Sequence, residues 1–161
     1  MNLMASAPYW LTLLLIFLLS VAALEDMWRL QISDWLSAGV ALGAFLALAI
    51  GGSIAGFWQN LLLFALVLGL GTLLFVRDWM GGGDVKMLAA ASLWFDLDPG
   101  GKMLVAVALA GGIETMVVMI LRHAPWPQIL RSRLAVLRPR EAIPYGVAIA
   151  AGVIFAGTAA R

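Results

Sequence analysis

Five stretches of this chain, Pro8–Leu24, Trp35–Gly56, Phe57–Val76, Lys102–Leu121 and Pro144–Ala160, are apolar over close to a membrane-crossing length. An α-helix needs about 20 largely apolar residues to cross ~30 Å of hydrocarbon. A sixth stretch, Trp79–Leu97, is apolar in its second half and carries Asp84 and Lys86 in its first. The second and third abut at a chargeless turn, Gly51-Gly52-Ser53 to Gly56. No repeat or low-complexity tract appears, and no length is left for a soluble domain. Of the 161 residues, 63% are hydrophobic and 12% charged, against roughly 45–50% and about 25% in soluble chains. A soluble domain of this size leaves too much surface in water to hide that much apolar area. The expected fold is all-α: a polytopic membrane bundle of about six transmembrane helices, a single domain over residues 1–161.

The residues that are scarce narrow the chemistry. There is no cysteine, which removes disulfides, thiol nucleophiles, iron–sulfur clusters and cysteine-based zinc sites. A single histidine, His123, makes a histidine-rich metal site impossible. Any catalysis must run on carboxylates, hydroxyls, Lys/Arg or bound water, and no metal or cofactor is expected. The formal net charge of +1 gives no global field that would draw in nucleic acid.

Orientation follows from the basic residues, which collect on the cytoplasmic side. With the N-terminus outside and all six segments crossing, the cytoplasmic loops hold Arg29, Arg77, Lys86, Arg122, Arg131, Arg133, Arg138 and Arg140, eight of the ten Lys and Arg residues. Only Lys102 and Arg161 face out. If Trp79–Leu97 did not cross, the Arg122–Arg140 stretch would lie outside, so this segment is expected to cross despite its charges. Trp10, Trp28, Trp35, Trp58, Trp79, Trp94 and Trp126 all lie near segment ends, where interface anchors sit. The first segment has small residues at Val21-Ala22-Ala23 but no basic residue before Arg29; it therefore reads as a retained helix, not a cleaved signal.

Each of the nine acids needs a reason in such a chain. Asp96 and Asp98 precede Pro99-Gly100-Gly101 and read as solvated loop acids; Glu141 reads as balancing its arginine neighbours. Glu25, Asp34 and Asp78 sit at segment ends, the first and last beside Arg29 and Arg77. Asp34 is also placed to cap the helix that opens at Trp35. Asp26 and Asp84 are placed by the topology at one depth, on two helices of one small bundle. The chemistry that uses such a pair is water activation: one carboxylate takes a proton from water while the other, protonated, donates to the scissile carbonyl. Topology alone leaves Glu25 and Asp78 open as members of the pair. The local sequence favours Asp84, which follows Met80-Gly81-Gly82-Gly83. That run admits backbone conformations closed to other residues and leaves no side chains in the way of an extended substrate. A helix starting there would aim its N-terminus at Asp84, favouring the ionised form.

Glu114 lies about twelve residues into its segment, deep enough to be costly against lipid. Beside Gly111-Gly112 it reads as a protonated or hydrogen-bonded packing residue. Arg122 to Arg140, with interleaved leucines and prolines, reads as a surface for anionic lipid headgroups. Gly39 and Gly43 mark close helix packing inside the bundle, and Pro144 an ordinary helix start.

Gly81-Gly82-Gly83-Asp84-Val85-Lys86 resembles the G-x-G-D-x-K signature of the type IV prepilin peptidases, membrane aspartic proteases of the presenilin-like group. Asp26 falls where that family has its first aspartate. The family's Ile-Pro-Asn appears here as Ile32-Ser33-Asp34, with Ser and Asp in place of Pro and Asn. Ile143-Pro144-Tyr145-Gly146 resembles its C-terminal signature. The resemblance covers nearly the whole chain. It implies a catalytic pair of Asp26 and Asp84, with Gly81 and Gly83 shaping the site and Lys86 orienting a carboxylate or contacting substrate. It implies prepilin or pseudopilin substrates, with a short, often basic, cytoplasmic leader ahead of an apolar helix, cut after a glycine at the inner face of the bacterial plasma membrane. The short chain without cysteines resembles the Tad/CpaA-type form serving Flp pili, which cleaves without methylating. Two other readings compete: a small proton- or ion-coupled transporter using Asp84 and Glu114, and a non-catalytic pilus-assembly scaffold. The oligomeric state is left open.

Overall fold

The computed structural model describes residues 2–51, 54–127, 134–137 and 143–159. Among these, seven α-helices and two short 3-10 turns occur and no strand: α1 (Leu3–Ser6), α2 (Tyr9–Arg29), α3 (Asp34–Gly51), α4 (Trp58–Val76), α5 (Gly82–Ser92), α6 (Leu97–His123) and α7 (Gly146–Ala159). The chain is all-α, as expected.

Four helices, α2, α3, α4 (with the turn before it) and α6, are long and apolar enough to cross a membrane. Their inward and outward faces differ in size more than in polarity. On α3 the buried positions are Ser37, Val40, Gly43, Ala44 and Ala47, a helical stripe of small residues, while Trp35, Leu42, Phe45 and Ile50 point outward. Small inward residues let helix backbones approach where lipid gives no hydrophobic drive for association. On α2 the buried stripe is Leu11, Leu15, Leu19, Ala22 and Asp26. Asp26 is therefore turned inward by the register of its own helix.

The two other segments expected to cross are short. The α5 helix has 11 residues and α7 has 14, about 16 and 21 Å of rise, against the ~30 Å of a hydrocarbon core. They form an inner pair. The α5 helix packs against α3, α4 and α7, and α7 against α2, α5 and α6, and both are buried around most of their circumference. A helix shielded by protein need not match the bilayer's thickness, provided its end groups are satisfied. Asn60 of α4 donates from Nδ2 to the Leu93 carbonyl at 2.9 Å. The Met4 amide donates to the Trp94 carbonyl at 3.2 Å. The buried α1 residues Leu3 and Met4 thus lie under the far end of α5, and Met4 also packs on Gly157 near the end of α7.

Trp94 departs from the expectation of an interface anchor. Its ring is fully buried, its Nε1–H donates to the Val40 carbonyl at 3.0 Å, and it fills the space above Gly43. The other tryptophans named at segment ends are exposed or half-buried. Gly39 and Gly43 serve packing inside the bundle, against Leu18 and Trp94. Pro144 stands two residues before α7, not at its first position. Glu141 and Arg131, Arg133, Arg138, Arg140 and Arg161 lie outside the described residues, and with them most of the basic stretch.

Candidate active site

The last turn of α2, the first turn of α5 and the segment leading into α7 meet at one end of the bundle. They surround a cleft of about 540 Å³ lined by Asp26, Leu30, Asp78, Met80, Gly81, Asp84, Arg122, Ile143 and Tyr145, among others. A second cavity of about 340 Å³ adjoins it, lined by Asp26, Leu30, Gln31, Ile32, Asp34, Gly81, Gly82, Gly83 and Asp84. Asp26 and Asp84 line both. Each is buried, at 3% and 8% exposure.

The two carboxylates lie against the starts of two helices. Asp26 Oδ2 accepts from the Gly146 N–H at 2.7 Å. Asp84, third residue of α5, folds its Oδ2 back against Gly81 just ahead of that helix, at the position of the acidic half of a capping box. Its Oδ1 is buried with no hydrogen-bond partner among the described residues. Both aspartates thus meet a helix N-terminus, Asp84 on its own helix and Asp26 on α7. The dipole argument that favoured ionised Asp84 applies to Asp26 as well and does not separate them.

The glycine run acts by proximity, not by unusual backbone. Gly81 has φ −66° and ψ 142°, open to any residue, and no glycine among the described residues has positive φ. This corrects the expectation of conformations closed to other residues. A Cβ on Gly81 would lie 2.7 Å from Asp84 Oδ2, and one on Gly83 would lie 3.1 Å from the Ile32 carbonyl oxygen. The run lets the carboxylate fold back and seats α5 against the loop after α2.

Lys86 lines neither cavity; its ammonium pairs with Asp34 Oδ1 at 2.7 Å. Asp34, the first residue of α3, is engaged in that pair instead of capping the helix through its side chain. Glu25 accepts from the Ser33 N–H at 3.0 Å and from its hydroxyl at 2.7 Å, with Arg29 farther off at 3.9 Å. It therefore pins the loop between α2 and α3 and lies away from both cavities. Asp78 lines the larger cleft, exposed, at φ 57°. Arg122 also lines the cleft and donates from Nε to the Val136 carbonyl at 2.9 Å; a role confined to lipid headgroups does not describe it. Among the described residues no group of three His, Asp or Glu side chains is arranged to hold a metal ion.

Two contacts had no precedent in the local sequence. Gly146 is pressed against Asp26: a Cβ there would lie 2.9 Å from Asp26 Cβ. Glu114, on α6, accepts from the Ala148 N–H at 3.0 Å, so the hydrogen-bonded packing role expected for it is what the structure has. The signals available were Ile143-Pro144-Tyr145-Gly146 and the depth of Glu114, but neither named a partner.

No curated protein and no solved structure matches the chain. A family model described as the type IV leader peptidase family matches residues 13–121, a stretch that includes Asp26, the glycine run, Asp84, Lys86 and Glu114, and by that match the chain belongs to the type IV leader peptidase family.

Proposed function

We propose that this peptidase is a membrane aspartic endopeptidase that removes the cytoplasmic leader from type IV or Flp-type prepilins, with Asp26 and Asp84 as the catalytic pair. The observation that carries the reading is that two buried carboxylates from separate helices line one open cleft, one of them with an oxygen that has no partner among the described residues. The family implies prepilin substrates in general; the leader, the cleavage side and the assignment of the pair are the proposal. The chain acts as a single domain with its N-terminus outside, which puts the cleft at the inner face of the plasma membrane.

In this mechanism a water held between the carboxylates attacks the scissile carbonyl carbon. The ionised carboxylate takes the water's proton as the new C–O bond forms, and the protonated one donates to the carbonyl oxygen. Collapse of the tetrahedral intermediate breaks the C–N bond, and the leaving amine takes up a proton from the pair. Two carboxylates in one buried cleft share a proton as a coupled unit, which suits one to act as base while the other acts as acid. The glycine run seats Asp84 and α5 against the loop after α2, and the substrate peptide lies in the cleft that Asp26 and Asp84 line. Lys86, through Asp34, shapes the rim of the smaller cavity.

The test is co-expression with an epitope-tagged Flp-type prepilin, following its gel mobility. Wild type should shift the prepilin, while Asp26→Asn and Asp84→Asn, accumulating to equal level, should leave it uncut. Cleavage surviving either substitution removes that residue from the pair.

A further inference from the structure

We infer that Glu114 is a positioning residue for Asp26, acting through the first turn of α7; the inference rests on the reading of Asp26 as half of the reacting pair. The first amides of a helix have no intrahelical acceptor. In α7 two of them are taken by carboxylates from other helices: Gly146 N–H by Asp26 of α2, and Ala148 N–H by Glu114 of α6. The chain supplies no short polar cap of its own here. Tyr145 precedes the helix, and Gly146 must lack a side chain to approach Asp26. Capping of this turn therefore falls to a residue on α6, and with it the placement of the Gly146 amide on which Asp26 rests.

The surroundings of Glu114 support a specific role. It faces a cavity of about 410 Å³ in which every other lining side chain is apolar, Ile113, Val117 and Val147 among them. A carboxylate in such a place is costly unless its hydrogen bond matters, and the bond it makes is to the α7 turn. While that turn is held, Asp26 is gripped by one oxygen, Oδ2, and presents the rest of its carboxylate to the cavities it lines. Once the turn is released, the Gly146 amide and Asp26 are free to shift together.

The experiment uses the full chain purified in detergent, carrying Glu114→Gln, Glu114→Ala or Glu114→Met; the last preserves side-chain volume so that packing is retained. Cleavage of the tagged Flp-type prepilin gives kcat and KM, and isotope-labelled glycine and alanine report amide exchange at Gly146 and Ala148. The acceptor-free variants should lower kcat roughly 10- to 100-fold with KM unchanged, the scale on which misplaced reacting groups cost rate. They should also speed exchange at Gly146, which Glu114 does not touch. Glu114→Gln, whose amide oxygen still accepts from Ala148, should restore both. Faster exchange at Ala148 alone, with Gly146 and kcat unchanged, would overturn the inference, as would a Gln variant as slow as the Met variant. A wild-type protein that cuts no prepilin would count against the peptidase reading instead, and Gly146 exchange would still decide whether Glu114 holds the turn.

Discussion

Asp26 and Gly146, 120 residues apart in the chain, are joined by a 2.7 Å hydrogen bond between the Gly146 amide and Asp26 Oδ2. The contact joins α2 to α7 at the cleft, with no side chain at position 146 between them. It places one candidate carboxylate on the end of an inner helix, opposite the other on the start of α5.

Gly146→Ala tests that contact directly. The new methyl would lie 2.9 Å from Asp26 Cβ and 3.0 Å from Oδ2, so the helix end and the carboxylate must part. Prepilin cleavage should fall roughly 10- to 100-fold while the protein still inserts and accumulates. Activity equal to wild type would show that the close approach is dispensable.

Asp84→Asn should not lower thermal stability in detergent. The buried Oδ1 has no hydrogen-bond partner among the described residues, and a buried carboxylate without compensation is costly to the fold. A residue kept for chemistry at that cost can be neutralised without harm to the fold. The measurement is the unfolding midpoint of the variant beside its cleavage activity: midpoint kept, activity lost.

Trp94→Ala should destabilise by about 3–5 kcal/mol, the range for removing a large buried aromatic, because the ring is fully buried and hydrogen-bonded to Val40. Trp35→Ala, at a position 88% exposed, should leave the unfolding midpoint nearly unchanged. Unfolding in mixed micelles compares the two; equal losses would place Trp94 outside the core.

Asn60→Leu should cost about 1–3 kcal/mol, the penalty for stripping a partner from a buried polar group. It leaves the Leu93 carbonyl at the end of α5 without its side-chain donor. The same unfolding assay reads it, and a neutral result would mean that the end of α5 needs no partner from α4.

Lys86→Gln and Asp34→Asn should each change stability by less than about 1 kcal/mol, as exposed ion pairs do, since both members are largely exposed. If Lys86 acts through Asp34, the two single variants and the double variant should lose the same share of cleavage activity. A larger loss for Lys86→Gln alone would assign it a direct substrate contact.

The α-helical fold was legible in the sequence because segments of twenty apolar residues have one economical way to satisfy their backbones. The Gly81–Lys86 motif was legible because it is local: the glycines, Asp84 and the helix start lie within a few residues of one another, so backbone geometry alone puts them together. The lengths of the inner helices were not. Pro144–Ala160 is as apolar as a crossing segment and Trp79–Leu97 is so in its second half, and hydropathy does not distinguish a helix shielded by protein from one shielded by lipid. Trp94 is buried against the expectation for the same reason, since a tryptophan near a segment end looks alike at an interface and in a core.

That two aspartates stand near helix ends in an apolar bundle follows from the order of residues along the chain. Which of the neighbouring acids turn inward is set by helix packing. In a helix that is apolar all round, no polar face marks the buried side, so Glu25 and Asp26 are equivalent until α2 packs. Packing places the stripe through Leu15, Leu19 and Ala22 against the neighbouring helices, which carries Asp26 into the cleft and leaves Glu25 to the loop. The Gly146 and Glu114 contacts belong to the same class. Each joins residues far apart in sequence, and such pairings are set by how helices pack, which no local pattern encodes.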